Sequence, residues 1–296
     1  MKKKTIIELL SYPLAGFIYV VSLFPLGLLY QLSHLMFFIL FYLPGYRKKV
    51  VYNNLSNAFP DKSPEELFII RRKFYRHLSN LIVETVKLHN LSPAKLKQRC
   101  CFTPESAELI NSYFQKDKSV IMVMGHYGNW EWYGSSIYPA FGVSPIAAYR
   151  PLKNRVFDRL MKKLRTRFGT KIAPMKDFPR KMFSLRKEVT AALLIADQTP
   201  SKSNAHWVDF LNQDTPVFKG TAKLSRMFNF PLIFCLPRPS KRGYYEVHAK
   251  LITESPTEHD EEAISAMHTR ALEEEIEKAP EYWLWTHRRW KHKRPE

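Results

Sequence analysis

The chain has 296 residues, 45% hydrophobic and 14% aromatic, and carries a formal charge of +19 from 46 Lys and Arg against 27 Asp and Glu. That is enough chain for one large domain or two small ones, and the basic excess points to a polyanionic partner: nucleic acid, an anionic membrane surface, an acidic protein or a phosphorylated substrate. Cys100, Cys101 and Cys235 include two neighbours and no C-x-x-C, which excludes a disulfide framework and a cysteine zinc site and fits structural thiols in a reducing, cytoplasmic setting.

Residues 1–46 open with MKKK and then turn apolar: from Leu14 to Leu43 only Gln31, Ser33 and His34 are distinctly polar. About 20 apolar residues are needed to cross a bilayer, so a membrane anchor is expected here. The stretch is too long for a signal-peptide core and lacks a small-residue cleavage site. A buried core helix is the plainer reading. Pro25 is expected to kink the segment. Lys2, Lys3 and Lys4 precede it and Arg47, Lys48 and Lys49 follow it. Charge on both flanks favours no single crossing, so a tilted anchor and a re-entrant helix pair both fit.

Residues 47–296 read as one domain on the cytoplasmic face. SPEELFIIRRKFYRHLSNLIVETVKLHN starts with Ser63 as N-cap and Glu66 three residues on, a capping-box pattern, and its apolar residues recur at helical spacing. Beyond it, apolar runs at 120–124, 144–149, 171–174, 191–196 and 231–237 alternate with expected helices at 105–117, 129–140, 154–168, 177–187, 216–229 and 259–279. Such alternation predicts an α/β fold, a sheet flanked by helices. GYYEVHAKLI, 243–252, alternates more cleanly and reads as an edge hairpin partner, which makes the sheet mixed.

The run VIMVM ends in GHYGNWEW, and here two ionisable residues, His126 and Glu131, follow a buried-looking strand. The spacing alone carries little: ten histidines and 27 acidic residues give about one His-x4-acid match by chance. His268 and Glu273 share it, in a polar helix that reads as a solvated face. Context favours the first pair. His126 falls at the carboxyl end of a strand, where open α/β sheets bind ligands. Asn129 can cap the following helix and place Glu131 in its first turn. Glu131 is then expected to orient one imidazole nitrogen while the other accepts a proton from a substrate hydroxyl. A buried histidine satisfied by a carboxylate is the simpler reading. No H-E-x-x-H, G-x-S-x-G, Walker loop or Rossmann glycine fingerprint is present, so neither a metal nor a covalent nucleophile is expected.

Six blocks in order resemble the bacterial lipid A biosynthesis acyltransferases, within the wider lysophospholipid acyltransferase group. They are RKKVVYNNLSNAFPDKS (47–63), GHYGNWEW (125–132), AYRPLKNRVFDRLMKKLRTRFGTKIAP (148–174), ADQTP (196–200), FKGTAKLSRMFNFPLIFCLPRP (218–239) and PEYWLWTHRRWK (280–291). The resemblance implies a glycerol-phosphate acyltransferase-like fold in a membrane-bound enzyme of the bacterial inner membrane. That enzyme moves a fatty acyl chain from an acyl carrier protein thioester to a lipid hydroxyl, without a cofactor. It implies His126 as general base, Glu131 as its partner, and Arg150, Lys153, Arg165 and Arg167 facing phosphates. Asp197 and Gln198 end a strand on the same face and either position substrate or brace a loop. The acidic carrier protein, a phosphorylated lipid acceptor and the anionic membrane are the implied partners, and they match the positive charge. Three departures fall in acceptor-side regions: Arg155 where the family often has proline, Leu211-Asn212 after Phe210 where glycine is usual, and no glycine soon after ADQTP. Relatives acylate aminolipids or lysophospholipids by the same chemistry. A membrane-anchored nucleic-acid-binding protein is the reading from another class. The spread of the basic residues and the lack of a binding motif count against it.

Overall fold

The computed structural model describes residues 3–43, 46–201 and 205–294. Lys2, part of the basic flank read from the sequence, lies outside the described residues, as do the side chains of Lys3 and Lys4.

The N-terminal segment forms α1 (Lys3–Leu23) and α2 (Leu26–Tyr42). The break falls at Phe24–Pro25, where the missing proline N–H ends one helix and the extended Pro25 starts the next. Among the described residues no helix is long and apolar enough to cross a membrane, so the expected crossing is not found. α2 instead lies along α4 (Pro64–Leu88). Tyr30 Oη donates to Glu84 at 2.9 Å, and Ser33 Oγ donates to Asn80 at 2.9 Å. The outer faces of α1 and α2 stay apolar and exposed, with Leu10, Phe17, Leu28, Leu35 and Phe38 all more than half exposed. α3 (Lys48–Ala58) precedes α4, which begins with the expected capping box: Ser63 Oγ accepts from the Glu66 N–H, and the Glu66 carboxylate accepts from the Ser63 N–H.

The rest alternates as predicted. α5 (Pro93–Arg99), β1 (Cys100–Phe102) and α6 (Pro104–Phe114) lead to β2 (Val120–Met124). Then come α7 (Trp130–Phe141), β3 (Ile146–Tyr149), α8 (Arg155–Thr166), β4 (Lys171–Pro174), α9 (Phe178–Ser184) and β5 (Ala191–Ile195). After β6 (Ala205–Asp209) and β7 (Asp214–Phe218), α10 (Gly220–Phe228), β8 (Leu232–Lys241), β9 (Tyr244–Thr253) and α11 (Glu261–Lys278) complete the set. Seven strands form a mixed sheet in the order β1-β9-β8-β2-β5-β3-β4, with β8 and β9 antiparallel and the other pairings parallel. β2 is buried along its whole length because helices cover both faces, with Ile121 and Val123 in one core and Val120, Met122 and Met124 in the other.

Three expectations need correction. β9 is not an edge strand, since β1 pairs outside it. Residues 216–229 are not one helix: the β-formers Thr215, Val217 and Phe218 pair with β6 in a separate two-stranded ribbon before α10 starts. His268 and Glu273 are not solvated but buried, at 4% and 6% exposure. The Glu273 carboxylate accepts the Leu211 N–H at 2.6 Å. That bond braces a tight β6–β7 turn in which Leu211 and Asn212 both take positive φ, the arrangement a two-residue hairpin loop requires.

Candidate active site

β2 and β5 run parallel, with Met124 opposite Ile195. His126 and Asp197 each lie two residues past that pair, so the two loops deliver them side by side. The Asp197 Oδ1 oxygen lies 2.6 Å from His126 Nδ1, and its Oδ2 accepts the His126 backbone N–H at 2.7 Å and the Trp283 indole N–H at 2.9 Å. Burial pushes the Asp197 carboxyl up, but the His126 imidazole, these hydrogen bonds and the indole outweigh it and bring it down to about 2. An ionised Asp197 fixes the proton on Nδ1 and turns the Nε2 lone pair outward, 3.4 Å from Gln198 Nε2. Trp130 flanks the imidazole in a T-shaped contact, the ring centres 5.0 Å apart.

The loop carrying His126 is pinned from behind by the C-terminal segment. Leu284 N–H donates to the His126 carbonyl at 3.1 Å, and Gly128 N–H to the Tyr282 carbonyl at 3.1 Å. Gly128 has φ +57°, and a Cβ there would fall 1.9 Å from the Pro237 carbonyl oxygen. Gly128→Ala is therefore expected to destabilise the fold by about 3 kcal/mol or more, read as a lowered midpoint in thermal unfolding. Behind Asp197, Arg289 is buried at 1% exposure, and its Nε and Nη1 have no hydrogen-bond partner. Burial lowers its pKa to about 10 against the field of Asp197.

Glu131 departs from the sequence reading. Asn129 does cap α7, its side chain accepting the Trp132 N–H at 3.0 Å, and Glu131 does sit in the first turn. From there its carboxylate meets α8 rather than the imidazole: Arg165 Nε donates to Oε2 at 3.0 Å and Nη2 donates to Oε1. Burial disfavours the Arg165 charge, but the bonds to Glu131 and its field more than offset this and raise the pKa. The partner of the imidazole is Asp197. Glu131→Gln is expected to lower stability by about 1–2 kcal/mol, a value reduced because the Arg165 side chain is one-third exposed. Thermal unfolding of the variant beside Glu131→Asp, which keeps the charge, measures this.

His126, Glu131, Arg150, Arg165 and Gln198 line one cavity of about 560 Å³. Its other walls are mainly apolar: Trp130, Met175, Phe178, Leu193, Leu194, Leu224 and Met227 contribute. Lys153 and Arg167 do not line it. Arg167 Nη1 instead donates to the carbonyls of Leu88 and Leu91 at 2.8 and 2.6 Å, closing the end of α4. Trp132 is packed away at 0% exposure, its indole donating to the Glu84 carbonyl, whereas Trp130 faces the cavity. Sequence reasoning missed Trp283, although PEYWLWTHRRWK already stood out as a block.

The arrangement holds a base-competent imidazole, a buried carboxylate orienting it, an apolar chamber and two guanidinium groups at the chamber wall. Among the described residues no group of three or more His, Cys, Asp or Glu side chains is placed to hold a metal ion. A family model described as bacterial lipid A biosynthesis acyltransferase matches residues 2–292. Among curated proteins the chain is similar to a lipid A biosynthesis acyltransferase of Haemophilus influenzae, 27% identical over 253 residues, which is 83% of this chain and 78% of that protein. A match over nearly the whole chain decides the question: this chain belongs to the bacterial lipid A biosynthesis acyltransferase family and is an acyltransferase.

Proposed function

We propose that the protein moves a fatty acyl chain from the thioester of an acyl carrier protein to a hydroxyl of a phosphorylated lipid A precursor, with His126 as general base. The observation that carries this is the Asp197–His126 pair opening on a largely apolar cavity of about 560 Å³ with Arg150 and Arg165 in its wall. His126 Nε2 takes the proton of the acceptor hydroxyl as its oxygen attacks the thioester carbonyl. Asp197 stabilises the imidazolium that forms. The tetrahedral oxyanion collapses, the carrier thiolate leaves, and the imidazolium returns the proton to it. No cofactor and no covalent enzyme intermediate enter the scheme.

Arg165 spends Nε and Nη2 on Glu131, which leaves Nη1 to meet an anionic group. Glu131 thus positions Arg165 toward a phosphate or the developing oxyanion. Arg150 is exposed at the mouth and suits a phosphate. Lys153 and Arg167 lie outside the chamber and fit an acidic carrier surface better than the lipid. The exposed apolar residues of α1 and α2 would lie against the inner membrane, with the site on the cytoplasmic face.

Mass spectrometry of lipids from a deletion strain tests the acceptor. Loss of one acyl chain from lipid A is expected. Unchanged lipid A with an altered aminolipid or lysophospholipid profile would reassign it.

A further inference from the structure

Gly125 and Gly128 have a packing or backbone reason to be glycine, whereas two glycines that line the cavity, Gly134 and Gly220, have none, and of these Gly134 stands inside a helix rather than at its first residue. It lies inside α7, one turn beyond Glu131, and does not take a positive φ. A Cβ at this position would meet a single neighbour, Leu193 Cδ1, at 4.0 Å, which is ordinary contact. By contrast, a Cβ at Gly125 would fall 2.6 Å from Leu272 Cδ2. Glycine inside a helix is less stable than alanine, so α7 gives up stability at Gly134 with no local return.

What Gly134 provides is space in the cavity. The chamber is bounded by Met124, His126, Ala196 and Gln198 at the carboxyl ends of β2 and β5. It also reaches Ala147 and Leu193, which are register partners in the middle of β3 and β5. Gly134, Ser135 and Thr170 line it together with them. Leu193 lies two residues before Ile195 on its strand, so this group lines the branch of the chamber that runs deeper along the α7 face of the sheet than His126. Thr170 Oγ1 donates to the Gly134 carbonyl at 3.2 Å, tying α7 to the start of β4 at this depth.

We propose that Gly134 is a specificity-determining residue: its missing side chain leaves room for the tail of the donor's acyl chain and so sets the longest chain the enzyme accepts. The occupant is a fatty acyl chain, since Leu193, Ala147 and helix backbone line the wall beside Gly134, the Thr170 hydroxyl is spent on the Gly134 carbonyl, and the nearest charges, Glu131 and Arg165, are paired with each other. The inference rests on the acyl-transfer reading above. A pocket discriminates by the last methylenes it can hold, each worth roughly 10-fold or more in relative kcat/KM. A Cβ at position 134 takes up part of that room and meets neither His126 nor Asp197 within 4 Å.

The test is a competition assay on purified full-length protein in detergent, with a homologous series of saturated acyl carrier protein thioesters and one lipid acceptor. Gly134→Leu is expected to lower relative kcat/KM for the longest accepted chain by about 10-fold or more and to retain transfer of shorter chains. Gly134→Ala is expected to shift the preference the same way by less, with a higher melting temperature, because alanine replaces glycine in a helix. The alanine variant keeps the test open if the leucine variant does not fold. Folded variants with unaltered chain-length preference overturn the proposal. So does a folded variant that loses transfer of every chain equally, because position 134 would then serve catalysis and not length. Failure of the wild-type protein to use any acyl thioester would overturn the proposed reaction instead, and the two failures are thereby told apart.

Discussion

His126→Ala is expected to lower acyl transfer by about a thousand-fold or more while leaving the fold intact. General-base removal costs roughly 10²- to 10⁴-fold, and here the same side chain also returns the proton to the leaving thiol. The loop should survive the change. Its anchors are backbone groups: the His126 N–H on Asp197 Oδ2 and the His126 carbonyl on the Leu284 N–H. Asp197 keeps the Trp283 indole as well. The variant should therefore unfold at a temperature near that of the wild type and bind donor with a similar KM, so the loss falls on kcat. Residual transfer would come from holding thioester and hydroxyl together in the chamber. Steady-state assay with purified acyl carrier protein thioester decides it. Near-normal turnover would remove His126 from the chemistry.

The strands that carry the site were legible one at a time, but their order in the sheet was not. VIMVM and AALLI announce buried strands by their unbroken apolar runs, and both reading frames agree with the structure. Nothing local says that strands 71 residues apart lie side by side in register. That adjacency alone brings Asp197 to His126. Glu131 is near His126 along the chain, five residues on. Being close along the chain does not set where a side chain points: in the first turn of α7, Glu131 faces α8, and an arginine waits there. The other misreadings had available signals. In α11, Ile264, His268, Leu272 and Glu275 recur at three- and four-residue steps, so His268 belongs to the buried face despite the polar company. In DTPVF, the β-branched Thr215 and Val217 on either side of Pro216 suit a short ribbon, and Gly220 marks the later start of the helix.

Asp197→Asn carries the second large effect, about 10³- to 10⁴-fold in kcat, and the reason is the count of hydrogens around one carboxylate. Asp197 accepts from three N–H groups: His126 Nδ1–H on Oδ1, and the His126 backbone and Trp283 indole on Oδ2. Asparagine offers one acceptor oxygen and one NH₂ group. If the oxygen stays with the backbone and indole, the NH₂ faces Nδ1 and forces the imidazole proton onto Nε2. The lone pair that should take the substrate proton is then lost, as in the known tautomer trap of catalytic triads. If the amide turns over, the NH₂ confronts two buried donors, an arrangement costing about 1–3 kcal/mol for each unsatisfied group. The first orientation wins, so the variant folds but holds the wrong tautomer. Stability carries a second signature. The folded carboxyl is held at about 2, below its unfolded value, so its contribution is complete above roughly pH 4 and is lost as pH falls through 2. The asparagine variant lacks that component of acid sensitivity. Trp283→Phe provides the comparison, because it removes one donor and leaves the charge and the tautomer in place. Its loss in kcat should be about 10-fold, the lower end of what one hydrogen bond to a charged group is worth. Equal losses in the two variants would mean that Asp197 serves only to hold the loop, and that the imidazole needs no partner to act as base.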